Sequence, residues 1–236
     1  MSSLAGDIVG SAIPTPADVA ASVASRSAGH ATSIVFPYGL IFREDLRYAR
    51  LRRAFDIAAA AAALVALSPV ILAASVAIVA EDGGPIFFCQ RRVGRFGRLF
   101  IMYKLRTMRK EKCIDGLAPS SRLDPRVTRI GHWLRRFSID EIPQLVNVIR
   151  GDMAFVGPRP EMPFVVRKYE DWQNLRHLVT PGITGLWQAT CRKTVPLHSP
   201  EATLLDLDYI RRASHLTDAL MIVKTISALV SSEGAY

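Results

Sequence analysis

Between Ile57 and Ala80 the chain carries no charged residue. About 20 apolar residues cross a bilayer as a straight helix, so this run is long enough to do so. Ser68-Pro69 interrupts it near its middle. Proline removes one backbone hydrogen bond and clashes with the preceding turn, which predicts a sharp kink. Each half then reaches only about one leaflet deep. Arginines crowd both flanks: Arg43, Arg47, Arg50, Arg52 and Arg53 before the run, and Arg91, Arg92, Arg95 and Arg98 after it. Arginine-rich flanks stay on the cytoplasmic side. A spanning helix satisfies one flank, whereas a hairpin that enters and returns satisfies both. The pattern therefore favours a re-entrant hairpin broken at Ser68 and Pro69, with a single spanning helix as the alternative. The Ser68 hydroxyl is placed to serve the carbonyls freed at the kink. Asp56 is expected to pair with Arg52 and Arg53 where the run begins.

The rest of the chain alternates on shorter periods. Ile86–Arg92 and Arg98–Lys104 are rich in β-branched and aromatic residues and are joined by Val93-Gly94-Arg95-Phe96-Gly97. That spacing predicts a β-hairpin. Residues 110–124 read as a polar linker. Val127, Ile130, Leu134 and Phe137 then recur at helical spacing, with Trp133 beside them and Arg126, Arg129, Arg135 and Arg136 around them. A basic amphipathic helix with a tryptophan suits a membrane surface, and equally suits packing on a core. Leu216, Ala219, Leu220, Val223, Ile226 and Val230 line one face of a second candidate helix. Met162–Leu178 also reads as helix, ended by Thr180-Pro181-Gly182. Together these predict an α/β chain, mostly helical, with one small β-hairpin. The expected organisation is a disordered segment over 1–42, a basic juxtamembrane segment and hairpin over 43–85, and a catalytic domain over 86–236.

Charge narrows the partner class. A formal charge of +9 and a pI of about 9.9 call for an anion: nucleic acid, an acidic lipid surface or a phosphorylated substrate. Nucleic acid would want aromatics interleaved on a basic sheet, and aromatic residues are only 8% of the chain. Cys89, Cys113 and Cys191 stand apart, which fits free thiols in a reducing compartment. The five histidines form no zinc spacing.

Candidate chemistry gathers in Ser138–Pro160, where Asp140 and Glu141 adjoin within a basic region. Ser138 and Glu141 match a helix capping box. Pro143 argues instead for a helix that starts later and runs Gln144–Arg150, ended by Gly151. Either way both acids sit at a helix start, whose dipole favours their ionised forms. Two neighbouring carboxylates repel, so a divalent cation or nearby arginines are wanted to keep both charged. An ionised Asp140 near a metal is a competent nucleophile toward a phosphoanhydride.

The pieces RRAFDI…LSP, QRRVGRFGRLFIMYKLRTM, DPRVTRIGHWLRRFSIDEIPQLVNVIRGDMAFVGPRP, PGITGLWQ and LDLDYI…DALMIVKT resemble the bacterial sugar transferase family over roughly residues 50–230. These are monotopic polyprenyl-phosphate phosphoglycosyl transferases. The chain most resembles the small exopolysaccharide-initiating members of the ExoY type. The resemblance implies transfer of a sugar 1-phosphate, glucose or galactose, from a UDP-sugar to undecaprenyl phosphate, with release of UMP. It implies a covalent phosphosugar intermediate on Asp140, Mg²⁺ held by Asp140 and Glu141, and a hairpin broken at Ser68-Pro69. By the same carry-over Lys104, Arg106, Arg135 and Arg159 bind phosphate, and Asp206 helps shape the nucleotide site. The implied location is the cytoplasmic face of the bacterial inner membrane, against anionic lipid. A homo-oligomer stays open.

Two stretches depart from the family pattern. Ala189-Thr190-Cys191-Arg192 stands where Ser/Asn-Gly-Arg is usual, and Arg212-Ala213-Ser214 where Asn-Trp-Ser is usual. The rival reading is a non-catalytic basic scaffold on the membrane surface. It explains the charge and the apolar run, but not an adjacent acid pair inside a basic region.

Overall fold

The computed structural model describes residues 33–35, 41–43, 46–109, 124–190, 197 and 199–230. The linker expected over 110–124 lies almost entirely outside them, as do Cys113, Cys191 and most of the segment 1–42. Inside that segment two short strands do form. β1 (Ser33–Val35) pairs antiparallel with β2 (Ile41–Arg43), both composed largely of β-forming residues.

Two helices follow, α1 (Leu46–Ala66) and α2 (Ser68–Asp82), bent by 56° at the break between them. Pro69 sits in the first turn of α2 and cannot donate to the Val65 carbonyl. The Ser68 hydroxyl donates to that carbonyl instead, at 2.7 Å. The kink is thus fixed by proline and made tolerable by its neighbour. Among the described residues no single helix is long and apolar enough to cross a membrane. The bent pair satisfies that test only when its two helices are taken together.

The hairpin read from sequence is present one residue further on, with β3 (Phe87–Val93) antiparallel to β4 (Leu99–Leu105). Phe96 and Gly97 take positive φ in the connecting turn. Alternation along β4 turns Phe100 and Met102 inward, where they pack with Ala60 of α1 and with Leu145, Val148 and Met153. The end of β4 turns Leu105 into a second cluster with Ala74 and Ile78 of α2 and Leu134. Helix α3 (Arg129–Arg136) supplies Leu134, and α4 (Gln144–Arg150) supplies Leu145 and Val148. Thr128 caps α3 through Gly131 N, and Gly151 ends α4 at φ 90°.

Met162–Leu178 is not one helix. A single turn, α5 (Pro163–Val166), is followed by a separate 3₁₀ helix over Asp171–Leu178. Glu170 adopts an extended conformation and forms a reciprocal capping box with Gln173, which starts the second piece afresh. A short parallel pair, β5 (Ala154–Val156) and β6 (Gly182–Thr184), carries the chain to α6 (Leu186–Thr190), α7 (Pro200–Arg212) and α8 (His215–Val230).

The bent helix pair is bolted to this body at both ends. Asp218 of α8 accepts from Tyr48 and Tyr209 at 2.7 Å each and pairs with Arg52 at 3.2 Å. Arg53 donates to the Val148 and Ile149 carbonyls at the C-terminus of α4, where a cation is favoured. Both arginines thus reach across the fold, and no ion pair joins either to Asp56 among the described residues. At the far end Glu81 accepts from the first backbone amides of α3, Arg129 and Ile130, at 2.8 Å each. Several apolar side chains stay outward: Val65, Leu72 and Val76 on the bent pair, Trp133 and Phe137 at α3, and Leu216, Leu220, Val223 and Ile226 on α8.

Asn147 does what a third strand would do for β4. It is fully buried, its Oδ1 accepts from Tyr103 N at 3.1 Å, and its Nδ2 donates to Ile101 O at 2.7 Å. Replacing Asn147 by Ala strands both backbone groups, and each such group costs about 1–3 kcal/mol. The expected loss is about 3 kcal/mol, read as a lowered denaturation midpoint with faster amide exchange in β4.

Candidate functional site

The acid pair lies between two elements rather than inside a helix. Ser138 is left-handed (φ 53°, ψ 24°) and makes no capping bond. A 3₁₀ turn over Ile139–Glu141 follows, and Pro143 then leads into α4. Of the two sequence alternatives, the later helix start is the one that forms. A non-glycine residue in this backbone region is strained, and here the strain sits two residues before Asp140.

Glu141 is held on two sides. Its Oε1 accepts from Lys104 Nζ at 2.7 Å and from Arg159 Nη2 at 2.9 Å. Lys104 comes from β4, and Arg159 from the Pro158-Arg159-Pro160 turn after β5. Burial opposes the Glu141 charge, but the two cations outweigh it and hold the carboxyl well below the usual carboxylate range. Asp140 is 6% exposed, and the ion pairs of the described residues engage its neighbour instead. Burial pushes its carboxyl up to about 6. Lys104 pulls it down, Glu141 adds to the rise, and Arg135 and Arg159 pull it down again. The two adjacent acids are therefore shifted in opposite directions, Asp140 upward by burial and Glu141 downward by its paired cations.

Of the residues singled out from sequence, Lys104, Glu141 and Arg159 thus meet beside Asp140, and Arg135 lies near enough for its charge to act on Asp140. Arg135 is positioned by α3, and its Nε donates to Thr107 Oγ1 at 2.8 Å. Helix α3 comes this close to Thr107 because residue 131 is glycine; a Cβ there would lie 2.1 Å from the Thr107 carbonyl oxygen. Ser68 and Pro69 open α2 at its break from α1. Arg106 is placed elsewhere. It donates to the Asp82, Gly83 and Gly84 carbonyls and pairs with Asp82 at 3.3 Å, clamping the chain where α2 ends. Asp206 is 2% exposed and pairs with Arg176 at 2.6 Å. Arg176, Glu161, Arg92 and Asn147 complete this polar interior, and no local motif marked them.

Among the described residues no three His, Cys, Asp or Glu side chains gather as a metal site. The dyad's two carboxylates still suit Mg²⁺. That ion takes one or two carboxylates and fills its octahedron with water and substrate phosphate oxygens. Asp140 is the freer ligand of the two, since Glu141 Oε1 already receives two cations.

The profile of the bacterial sugar transferase family matches residues 47–232. An undecaprenyl-phosphate glucose phosphotransferase of Komagataeibacter xylinus is 39% identical over 204 residues, covering 78% of this chain and 37% of that one. The exopolysaccharide production protein ExoY of Sinorhizobium fredii is 36% identical over 200 residues, 78% of this chain and 88% of that one. A UDP-glucose:undecaprenyl-phosphate glucose-1-phosphate transferase of Caulobacter vibrioides is 37% identical, covering 81% and 73%. The chain therefore spans most of the second and third of these, and little more than a third of the first.

The raised Asp140 carboxyl carries a stability prediction. Its folded pKa, about 6, lies above the unfolded value of about 3.9, so the ionised form is disfavoured by folding. The resulting penalty is absent below pH 4, grows between pH 4 and 6, and reaches about 2–3 kcal/mol above that. Asp140→Asn should therefore melt higher than wild type at pH 7, and the difference should vanish toward pH 4. Thermal melts across this range, without divalent cation, provide the check.

Proposed function

The chain belongs to the bacterial sugar transferase family, and on that footing we propose that it transfers a sugar 1-phosphate from a UDP-sugar to undecaprenyl phosphate. The sugar is glucose or galactose, UMP is the first product, and the reaction starts assembly of an exopolysaccharide. The observation that carries this reading is a single carboxylate oxygen, Glu141 Oε1, shared by Lys104 and Arg159 beside the buried Asp140. Two cations lined up by one acid make a ready place for phosphoryl oxygens, and the neighbouring acid is left to react.

In the first step an Asp140 carboxylate oxygen attacks the β-phosphorus. The bond from that phosphorus to the bridging oxygen breaks, and UMP leaves with the electron pair. In the second, an undecaprenyl phosphate oxygen attacks the same phosphorus and the Asp140 carboxylate is released. Lys104, Arg135 and Arg159 hold the phosphoryl oxygens and offset their charge. Glu141 keeps Lys104 and Arg159 aligned. Mg²⁺ held by Asp140, with Glu141 assisting, would supply further neutralisation of the diphosphate.

The lipid acceptor requires the site to lie at a membrane, and the outward apolar side chains of the bent pair, α3 and α8 support this. We place the chain on the cytoplasmic face of the bacterial inner membrane, with α1 and α2 entering and returning as a hairpin.

Wild type incubated with UDP-sugar and Mg²⁺, without acceptor, should gain the mass of one sugar phosphate on the peptide containing Asp140. It should release at most one UMP per site. Asp140→Asn should give neither product, while Glu141→Gln should retain some adduct. UMP that appears only with acceptor present, and with no adduct trapped, would replace the two-step route by direct transfer. For topology, Asp45→Cys and Arg98→Cys in a background without native cysteines should both resist an impermeant thiol reagent in intact cells. Labelling of either from outside would make the bent pair a spanning element.

A further inference from the structure

Four successive carbonyls of the turn that carries Arg159 are each held by another part of the fold. Pro158 O accepts from Gly182 N at 2.9 Å, and Glu161 O accepts from Val93 N at 2.9 Å. Between them Arg159 O accepts from Arg176 Nη2 at 3.0 Å, and Pro160 O from Arg92 Nη1 at 3.0 Å. Two prolines already restrict this backbone. Two of the four anchors are buried arginine side chains rather than a sheet ladder.

Arg176 is the anchor at Arg159 itself. It is 1% exposed. Its Nη1 donates to Tyr169 Oη at 2.6 Å, and its Nη2 pairs with Asp206 at 2.6 Å. Glu161 lies 3.9 Å away. A buried guanidinium with this many partners cannot slide. Its desolvation is offset only while those contacts are complete. The same Nη2 that meets Asp206 reaches the Arg159 carbonyl. At the other end of Arg159 the guanidinium meets Glu141 at 2.9 Å.

We propose that Arg176, held by Asp206 and Tyr169, is a positioning residue for Arg159. It fixes the Arg159 backbone so that the guanidinium stays aligned with the dyad. Asp206 of α7 then serves the site through Arg176, and not by touching the nucleotide. The kinetic consequence rests on the transfer reaction proposed above; the structural consequence does not.

The test uses the full chain in detergent or nanodiscs, with two readings. Arg176→Lys keeps the charge but loses the planar fork that reaches three partners at once. It should raise deuterium uptake in the 157–162 peptide while leaving α1 and α4 unchanged. It should also lower kcat/KM for UDP-glucose or UDP-galactose by about tenfold. In an Arg159→Lys background the same change should cost less than about twofold more, because the contact it positions is already gone. Kinetic losses that multiply would overturn the assignment, since Arg176 would then act apart from Arg159. Unchanged uptake at 157–162 would overturn it as well. Should Arg176→Lys not fold, Tyr169→Phe and Asp206→Asn are read the same way, each with an expected loss of about threefold. A wild-type chain that releases no UMP would reject the transfer reading, and deuterium uptake would then decide the clamp alone.

Discussion

One carboxylate oxygen ties the centre of this protein together. Glu141 Oε1 draws Lys104 from the β3–β4 hairpin and Arg159 from the turn after β5 onto the same point, beside the start of α4. Buried charge is unfavourable unless it is paired, and Lys104 and Arg159 each pair here through Glu141, so all three elements must meet for both pairs to form. Among the described residues no ion pair engages Asp140, which is left with the field of the cluster. That inequality between adjacent acids is what the proposed chemistry draws on. Paired cations hold one carboxyl well below the usual carboxylate range, and burial pushes the other up.

Seven arginines do three kinds of work. Arg135 and Arg159 act on the dyad. Arg52, Arg53 and Arg106 fasten the bent helix pair, reaching Asp218, the C-terminus of α4 and the chain beyond α2. Arg92 and Arg176 hold the backbone behind Arg159. Guanidinium suits all three because its planar fork meets several acceptors at once and stays charged when buried. Part of the high positive charge is thus internal fastening.

The bent pair and the site are mechanically continuous. Glu81 at the end of α2 caps α3, and α3 carries Arg135 and runs into the strained Ser138. The bent helix pair and the turn that carries the acid dyad therefore share one helix. The link between α2 and α3 is the Glu81 carboxylate on the first amides of α3.

Much of this was legible in the sequence because its causes are local. Proline at 69 breaks a helix wherever it stands, Ser68 is the nearest hydroxyl, and Gly151 ends α4 by adopting a φ that suits glycine. Alternation and turn residues placed the β3–β4 hairpin to within one residue. The acid pair and its basic setting were visible as composition alone. Local pattern also misled: Met162–Leu178 has helical spacing, yet Glu170 begins a separate piece. Which arginine meets which acid was not legible. Arg106 and Arg135 look alike in sequence, but packing gives each a different set of partners. Asn147 has no strand signature and still completes the edge of β4. A charged or amide side chain finds its partner through long-range packing that decides which polar groups lose water. The chain's local chemistry set its elements and its reactive residues, and only the tertiary structure decided which of those residues share a site.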